Sequence, residues 1–249
     1  FANNIKTNNS ILLHPLKSDI TIVVPVYNPH QAWEKILVTR YQELSNTMTD
    51  WSCSMALVND GSQIHVTQEA IQYIKQHIPH LVYIHNTENH GKGFVLRQAI
   101  SELNTPYILY TDIDMPFTVA SMQAVMSQLH SYDVVFGIKQ QTYYEQLPLQ
   151  RKMVSKILQR FIKILFPTLP VSDTQCGLKG MNALGKTIFM QTKIDRYLFD
   201  LEFILYASKQ RLKIKPIPVS LREGIVFGNM NYKILLQESK NLWKILNRK

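Results

Sequence analysis

With 249 residues, 45% of them apolar, and only 9 Gly and 11 Pro, the chain can bury a core, which excludes a disordered or low-complexity polymer. No stretch approaches the roughly 18 consecutive apolar residues of a transmembrane helix, and no internal repeat marks a solenoid or propeller. Lys and Arg number 27 against 18 Asp and Glu, and the net charge of +9 favours an anionic partner: nucleotide, phosphate, nucleic acid or lipid surface.

In chain order, the first half alternates short apolar runs with helical patterns. Strands are expected at 20–26, 53–58, 81–84, 107–110 and 133–136, with helices at 31–47, 66–77, 93–103 and 119–130. This alternation predicts an α/β fold on a parallel sheet. Polar tips follow the strands at 27–29, 59–62, 86–93 and 111–114. Ligands of open parallel sheets bind outside the strand carboxyl ends, so these tips are expected to converge on one crevice. The second half predicts a basic helix at 151–166, a loop at 173–177, a helix at 199–210, a strand at 213–219 and a terminal helix at 232–246. No Gly/Ser-rich linker separates the halves. One domain over 1–249 is expected, its nucleotide-sugar half about 18–138 and its acceptor half about 139–249.

The residues 1–10 lack the apolar core of a secretory signal. Cys53 and Cys176 lie far apart and outside any metal-ligand spacing, so a reduced, cytosolic compartment is expected.

Two phosphate motifs fail. A dinucleotide fold needs GxGxxG after the first strand, where this chain has Val26-Tyr27-Asn28-Pro29-His30 and no glycine. Gly91-Lys92-Gly93 lacks both the spacing and the hydroxyl of an ATPase loop. Asp60, ending a strand before Gly61 and Ser62, either takes hydrogen bonds from a ribose or base, or is a turn residue. Asp112 and Asp114 place two carboxylates at a strand tip where Mg²⁺ or Mn²⁺ would join them to a diphosphate. Their alternative is that Asp114 caps a helix beginning near Phe117.

The ordered segments VPVYN (24–28), VNDGS (58–62), NHGKGFVLR (89–97), YTDIDMP (110–116) and DTQCGLKGM (173–181) together resemble the family 2 glycosyltransferases of GT-A fold. Within that family the chain is most similar to the polyprenyl-phosphate sugar transferases, over about 20–219. VNDGS with the DxD pair marks the broad family; the GKG segment with DTQCG points to lipid-phosphate acceptors. The resemblance implies a Rossmann-like fold whose mostly parallel sheet is flanked by helices. It implies that Pro25, Tyr27, Asn28, Asp60, Lys92, Asp112 and Ile113 line a UDP- or GDP-hexose pocket. Asp112, Asp114 and Gln175 would hold the metal, which stabilises charge building on the leaving diphosphate. Lys139, Arg151, Gln175 and Arg222 would contact the acceptor side.

Between 146 and 172 the chain has no acidic residue. At helical spacing Lys152, Lys156, Arg160 and Lys163 share one face, opposite Val154, Ile157, Leu158, Phe161, Ile162 and Leu165. Such a helix either lies at an anionic membrane surface or packs on the core with a solvated basic side. Peripheral attachment at the cytoplasmic face of a membrane is expected.

The acceptor decides which residues catalyse. A phosphate monoester is already an anionic nucleophile and needs positioning and charge neutralisation, a role for Arg151 and Lys139. A sugar hydroxyl needs a base, for which Asp173 and Asp200 are candidates; Asp200 and Glu202 are alternatively dipole-complementing residues of a helix start. The resemblance makes transfer to a polyprenyl phosphate with inversion the leading expectation, and transfer to a glycan hydroxyl the rival. A non-catalytic nucleotide or nucleic-acid binder is a third. Nucleic acid is not expected, because the aromatics do not interleave with a basic stripe.

Overall fold

The computed structural model describes residues 17–140, 144–145, 147, 149–167, 169–170, 173–225 and 232–247. Its strands are β1 (Ser18–Val26), β2 (Trp51–Asp60), β3 (Leu81–Asn86), β4 (Tyr107–Tyr110), β5 (Val134–Lys139), β6 (Lys179–Met181) and β7 (Ile214–Val219). The helices among the described residues are α1 (Trp33–Thr47), α2 (Gln68–His77), α3 (Lys92–Glu102), α4 (Val119–Ser127), α5 (Leu149–Leu165), α6 (Ala183–Phe189), α7 (Phe199–Lys209) and α8 (Tyr232–Leu246). All strands join one sheet in the order β3-β2-β1-β4-β6-β5-β7. Among the described strands, β6 alone runs antiparallel to its neighbours.

Period-two alternation along the strands divides the core. On β1, Ile20, Ile22, Val24 and Val26 face a layer of α1, α2 and α4, whereas Val23 faces a layer of α3, α5, α6, α7 and α8. Both sides are covered, so the central strands read as nearly continuous apolar runs. Register aligns the carboxyl ends: Val26 pairs Asn59, Asn59 pairs His85, and Val23 pairs Tyr110. The polar tips therefore emerge at one edge of the sheet.

Local chemistry sets several boundaries. Thr67 caps α2 by accepting from Ala70 N at 3.2 Å, and Thr118 caps α4 by accepting from Ser121 N at 3.2 Å. Asp114 is thus not the cap of α4, one of its two expected roles. Strand β6 and helix α6 were absent from the sequence expectations. A three-residue Lys-Gly-Met strand carries no periodicity, and its buried Lys179 imitates a surface position. A Cβ on Gly180 would lie 3.0 Å from the Leu129 methyl carbons, so that side chain would have to give by a few tenths of an ångström.

Helix α5 differs from its expected packing. Leu158, Ile162 and Leu165 pack on the core, but Ile157 and Phe161, expected beside them, are more than half exposed together with Leu149, Met153 and Ile164. The buried edge is narrower than the apolar face, because at 100° per residue 158, 162 and 165 subtend a small arc. An uncovered apolar ridge is left beside the basic band.

Candidate active site

The tips of β1, β2 and β4 and the start of α3 surround a cavity of about 620 Å³, lined by Pro25, Val26, Tyr27, Asp60, Asn89, Gly91, Lys92, Asp112, Ile113, Arg196 and Tyr197. That volume suits a nucleotide-sized ligand. Residues 25 through 113 of the expected donor set thus meet here, with one exception. Asn28, in a left-handed turn at φ 44°, ties the β1 and β2 tips together: its N–H donates to Ser62 Oγ at 3.0 Å and its Oδ1 accepts from Gln63 N at 2.8 Å.

Asp60 is both wall and brace. Its carboxylate accepts from His90 N at 2.7 Å, Gly91 N at 2.9 Å and Asn89 Nδ2 at 2.9 Å. A carboxylate offers about four lone-pair sites, so one direction remains for a ligand. Beside it Tyr27 is 51% exposed, its ring open to stack on a base. Gly61, at φ +70°, permits the close approach of this loop: a Cβ there would lie 2.4 Å from the Glu88 carbonyl carbon.

The GKG segment does not cradle phosphate with its amides. Gly93 N and Phe94 N both donate to the Asp195 carbonyl, at 2.7 and 3.3 Å. Instead the segment delivers Lys92, whose ammonium lies 2.5 Å from Asp112 Oδ1. Burial alone would lower the Lys92 pKa, but the charges of Asp112 and Asp200 outweigh it and the net direction is up. Lys92 is therefore a fixed cation at the cavity floor.

Two distant motifs meet at Asp112. A Cβ on Gly177 would fall 2.2 Å from Asp112 Oδ2, so the glycine of DTQCG leaves the space that this carboxylate occupies. Burial, then the neighbouring charge of Asp112, raises the Asp114 pKa. Two oxygen-donor carboxylates held close enough to repel, with room preserved for one of them, fit a hard divalent cation. No group of three or more His, Cys, Asp or Glu that could hold a metal occurs among the described residues; the remaining ligands would come from the donor and water. Gln175, the third expected ligand, donates its amide to Thr174 Oγ1 at 3.3 Å.

The second-half candidates are dispersed. Asp173 accepts from Lys139 N at 2.9 Å and lies 3.6 Å from Lys139 Nζ. Asp200 is not on the cavity wall. It is buried, 2.9 Å from the fully buried Lys179 ammonium, and accepts from Tyr110 Oη at 2.6 Å. Lys179 also donates to the Cys176 carbonyl at 2.6 Å, bracing the DTQCG loop from below. Arg222 also stands away from the donor cavity, paired with Glu43 at 2.6 Å. Arg151 lies in the first turn of α5; its side chain lies outside the described residues. Cys176 is a packing residue whose thiol burial pushes up to about 11.

Arg196 and Tyr197 were missed. They precede α7 in a segment without a motif, and reach the cavity because Asn89 links Arg196 to Asp60: Arg196 Nη2 donates to Asn89 Oδ1 at 3.3 Å. The only signal was an Arg-Tyr pair in a polar loop, which is common on surfaces.

The model for glycosyl transferase family 2 matches residues 21–183. The chain belongs to glycosyl transferase family 2. It is a glycosyltransferase of GT-A fold. A dolichyl-phosphate beta-glucosyltransferase of Trichomonas vaginalis is 24% identical over 97% of this chain and 77% of its own length. One from Saccharomyces cerevisiae is 23% identical over 82% of this chain and 67% of its own. In fold the chain is similar to glucosyl-3-phosphoglycerate synthase of Mycobacterium tuberculosis, solved with Mn²⁺, UDP and glucosyl-3-phosphoglycerate. The TM-score is 0.66 at 13% identity, covering 92% of this chain and 78% of that one.

Proposed function

We propose that this family 2 glycosyltransferase moves a hexose, with inversion, from a UDP- or GDP-linked donor to a polyprenyl phosphate at a membrane surface. The observation that carries the donor half is the convergence of Tyr27, Asp60, Lys92 and Asp112, from four separate sequence segments, on one cavity. Tyr27 stacks on the base, Asp60 takes a hydrogen bond from base or ribose, and Lys92 and Arg196 neutralise the diphosphate. Asp112 and Asp114 would hold Mg²⁺ or Mn²⁺, which supplies Lewis-acid stabilisation of the departing diphosphate.

Two observations support a phosphate acceptor over a hydroxyl. Both carboxylates available as bases are already neutralised, Asp173 by Lys139 and Asp200 by Lys179. An acceptor phosphate carries its own negative charge and needs no base: its oxygen bonds to the anomeric carbon as the bond to the diphosphate breaks. We assign the orienting of that phosphate to Arg151, since Lys139 is already paired with Asp173, and no proton has to be moved. The names of the curated relatives point the same way.

The ridge of Leu149, Met153, Ile157, Phe161 and Ile164 beside Lys152, Lys156, Arg160 and Lys163 supports attachment to an anionic lipid surface. Trp243 of α8 is similarly exposed, and α8 packs on the same side of the sheet. No helix of the described residues is long and apolar enough to cross a membrane.

Incubation with UDP-glucose or GDP-mannose, Mn²⁺, and either a short polyprenyl phosphate or a glycan acceptor tests the proposal. A β-linked lipid phosphosugar is the expected product. Product formed only with glycans would restore the hydroxyl reading.

A further inference from the structure

Residues 112–117 make a tight turn between β4 and α4 that carries both DxD carboxylates. Met115 sits at its centre, fully buried and at φ 39°, a conformation that side chains keep only where their surroundings over-determine it. Inside the turn Met115 N donates to Asp112 O at 2.9 Å. Three further carbonyls are held from outside. Arg40 Nη1 of α1 donates to Asp114 O. After β7, Arg222 N donates to Pro116 O at 2.8 Å and Arg222 Nε to Phe117 O at 3.0 Å. Glu43, one helical turn beyond Arg40, pairs with Arg222 Nη1 at 2.6 Å and closes the ring.

These side chains line a separate cavity of about 510 Å³ with Lys35, Ile36, Thr39 and Glu223, which shares no residue with the donor cavity. Arg40 Nη1 and Arg222 Nε are committed to the turn and Arg222 Nη1 to Glu43, while Arg222 Nη2 is buried without a hydrogen-bond partner; this cavity forms the back of the clamp. Burial, then the charge of Arg222, lowers the Arg40 pKa.

We infer that Arg40 and Arg222 are positioning residues that clamp the Asp112–Asp114 turn in the shape that receives the divalent cation, with Glu43 as their anchor. The inference rests on the proposal that this carboxylate pair takes the cation. A clamp acting on the carbonyls of Asp114, Pro116 and Phe117 limits rotation of the turn, and with it the directions of both carboxylates. Outer-shell partners of metal ligands commonly change metal affinity by about 10–100-fold.

The test uses the full chain and two readouts: calorimetric binding of UDP with and without Mn²⁺, and amide hydrogen exchange over residues 111–118 in metal-free protein. Arg40→Ala is expected to weaken Mn²⁺-dependent UDP binding about 10–100-fold, with metal-free UDP binding unchanged. Exchange in the turn should quicken while that of β1 and β2 stays as it was. Arg40→Lys, which restores one donor without the fork, should fall between. Wild-type binding and exchange in both Arg40→Ala and Glu43→Gln would overturn the clamp. Should Arg222→Ala fail to fold, those two variants carry the test. Asp114→Ala separates the two ideas: undiminished Mn²⁺ dependence in that variant defeats the cation proposal, while turn exchange in Arg40→Ala still decides whether the clamp exists.

Discussion

The donor side and the acceptor side of this molecule use charge in opposite ways. At the strand tips of the first half, Asp60, Lys92 and Asp112 face a cavity, each held by neighbours but open to a ligand. In the second half, Lys139 with Asp173 and Lys179 with Asp200 are turned on one another, and all four are nearly buried. The difference teaches that a carboxylate in a family motif is not thereby a base. A buried pair spends its charge on internal geometry, here the DTQCG loop, whereas an exposed tip keeps it for a substrate.

The sharpest way to break the comparison is at the contact between the halves. Gly177→Ala places a methyl group on the Asp112 carboxylate, and a shift of about 1 Å there should lower sugar transfer about 100-fold. Thermal melting would show the fold retained. Unchanged turnover would mean that Asp112 does not need its present position.

Asp200→Asn addresses the second half directly. It leaves the Lys179 ammonium buried without its counter-ion, and stability should fall by about 3–5 kcal/mol in urea unfolding. Replacing both residues with apolar ones of similar volume should recover much of that loss. A stable Asp200→Asn protein devoid of activity would instead mark Asp200 as a catalytic base.

The α5 ridge is expected to matter only when lipid is present. Phe161→Ser and Ile157→Ser each remove apolar surface worth about 1.5–3 kcal/mol if fully inserted. Sedimentation with anionic vesicles should therefore weaken at least tenfold, while turnover of a soluble short-chain acceptor is kept. Equal vesicle binding by both variants would leave the ridge without a lipid role.

The smallest effect concerns the thiols. Burial raises both Cys53 and Cys176 to about 11, so the native protein should resist alkylation at neutral pH and react fully once unfolded. The folded state holds these protons more tightly than the unfolded chain. Stability from this source is therefore complete below about pH 9 and is lost as pH rises towards about 11. Rapid alkylation of native protein at pH 7 would contradict this.

Helices α1 to α4 and strands β1 to β5 were legible because helical patterns alternate with short apolar runs and polar tips punctuate them. Asp60, Lys92 and Asp112 were legible as candidates because they stand at those tips. Strand β6 was hidden, since three residues with a central glycine have no period. Arg196 was hidden too, for the contacts that hold its segment at the cavity, to Asn89 and from Gly93 to Asp195, join residues about a hundred positions apart.

By itself, the sequence determined the alternation of elements and the chemistry at each strand end, because those depend on neighbours a few residues apart. Only the tertiary structure decided which charges remain available. Pairing Asp200 with Lys179, clearing Gly177 for Asp112 and gripping Asp114 with Arg40 each join residues far apart in the chain. Whether a carboxylate binds substrate or braces a loop follows from burial and from the partner that folding brings to it.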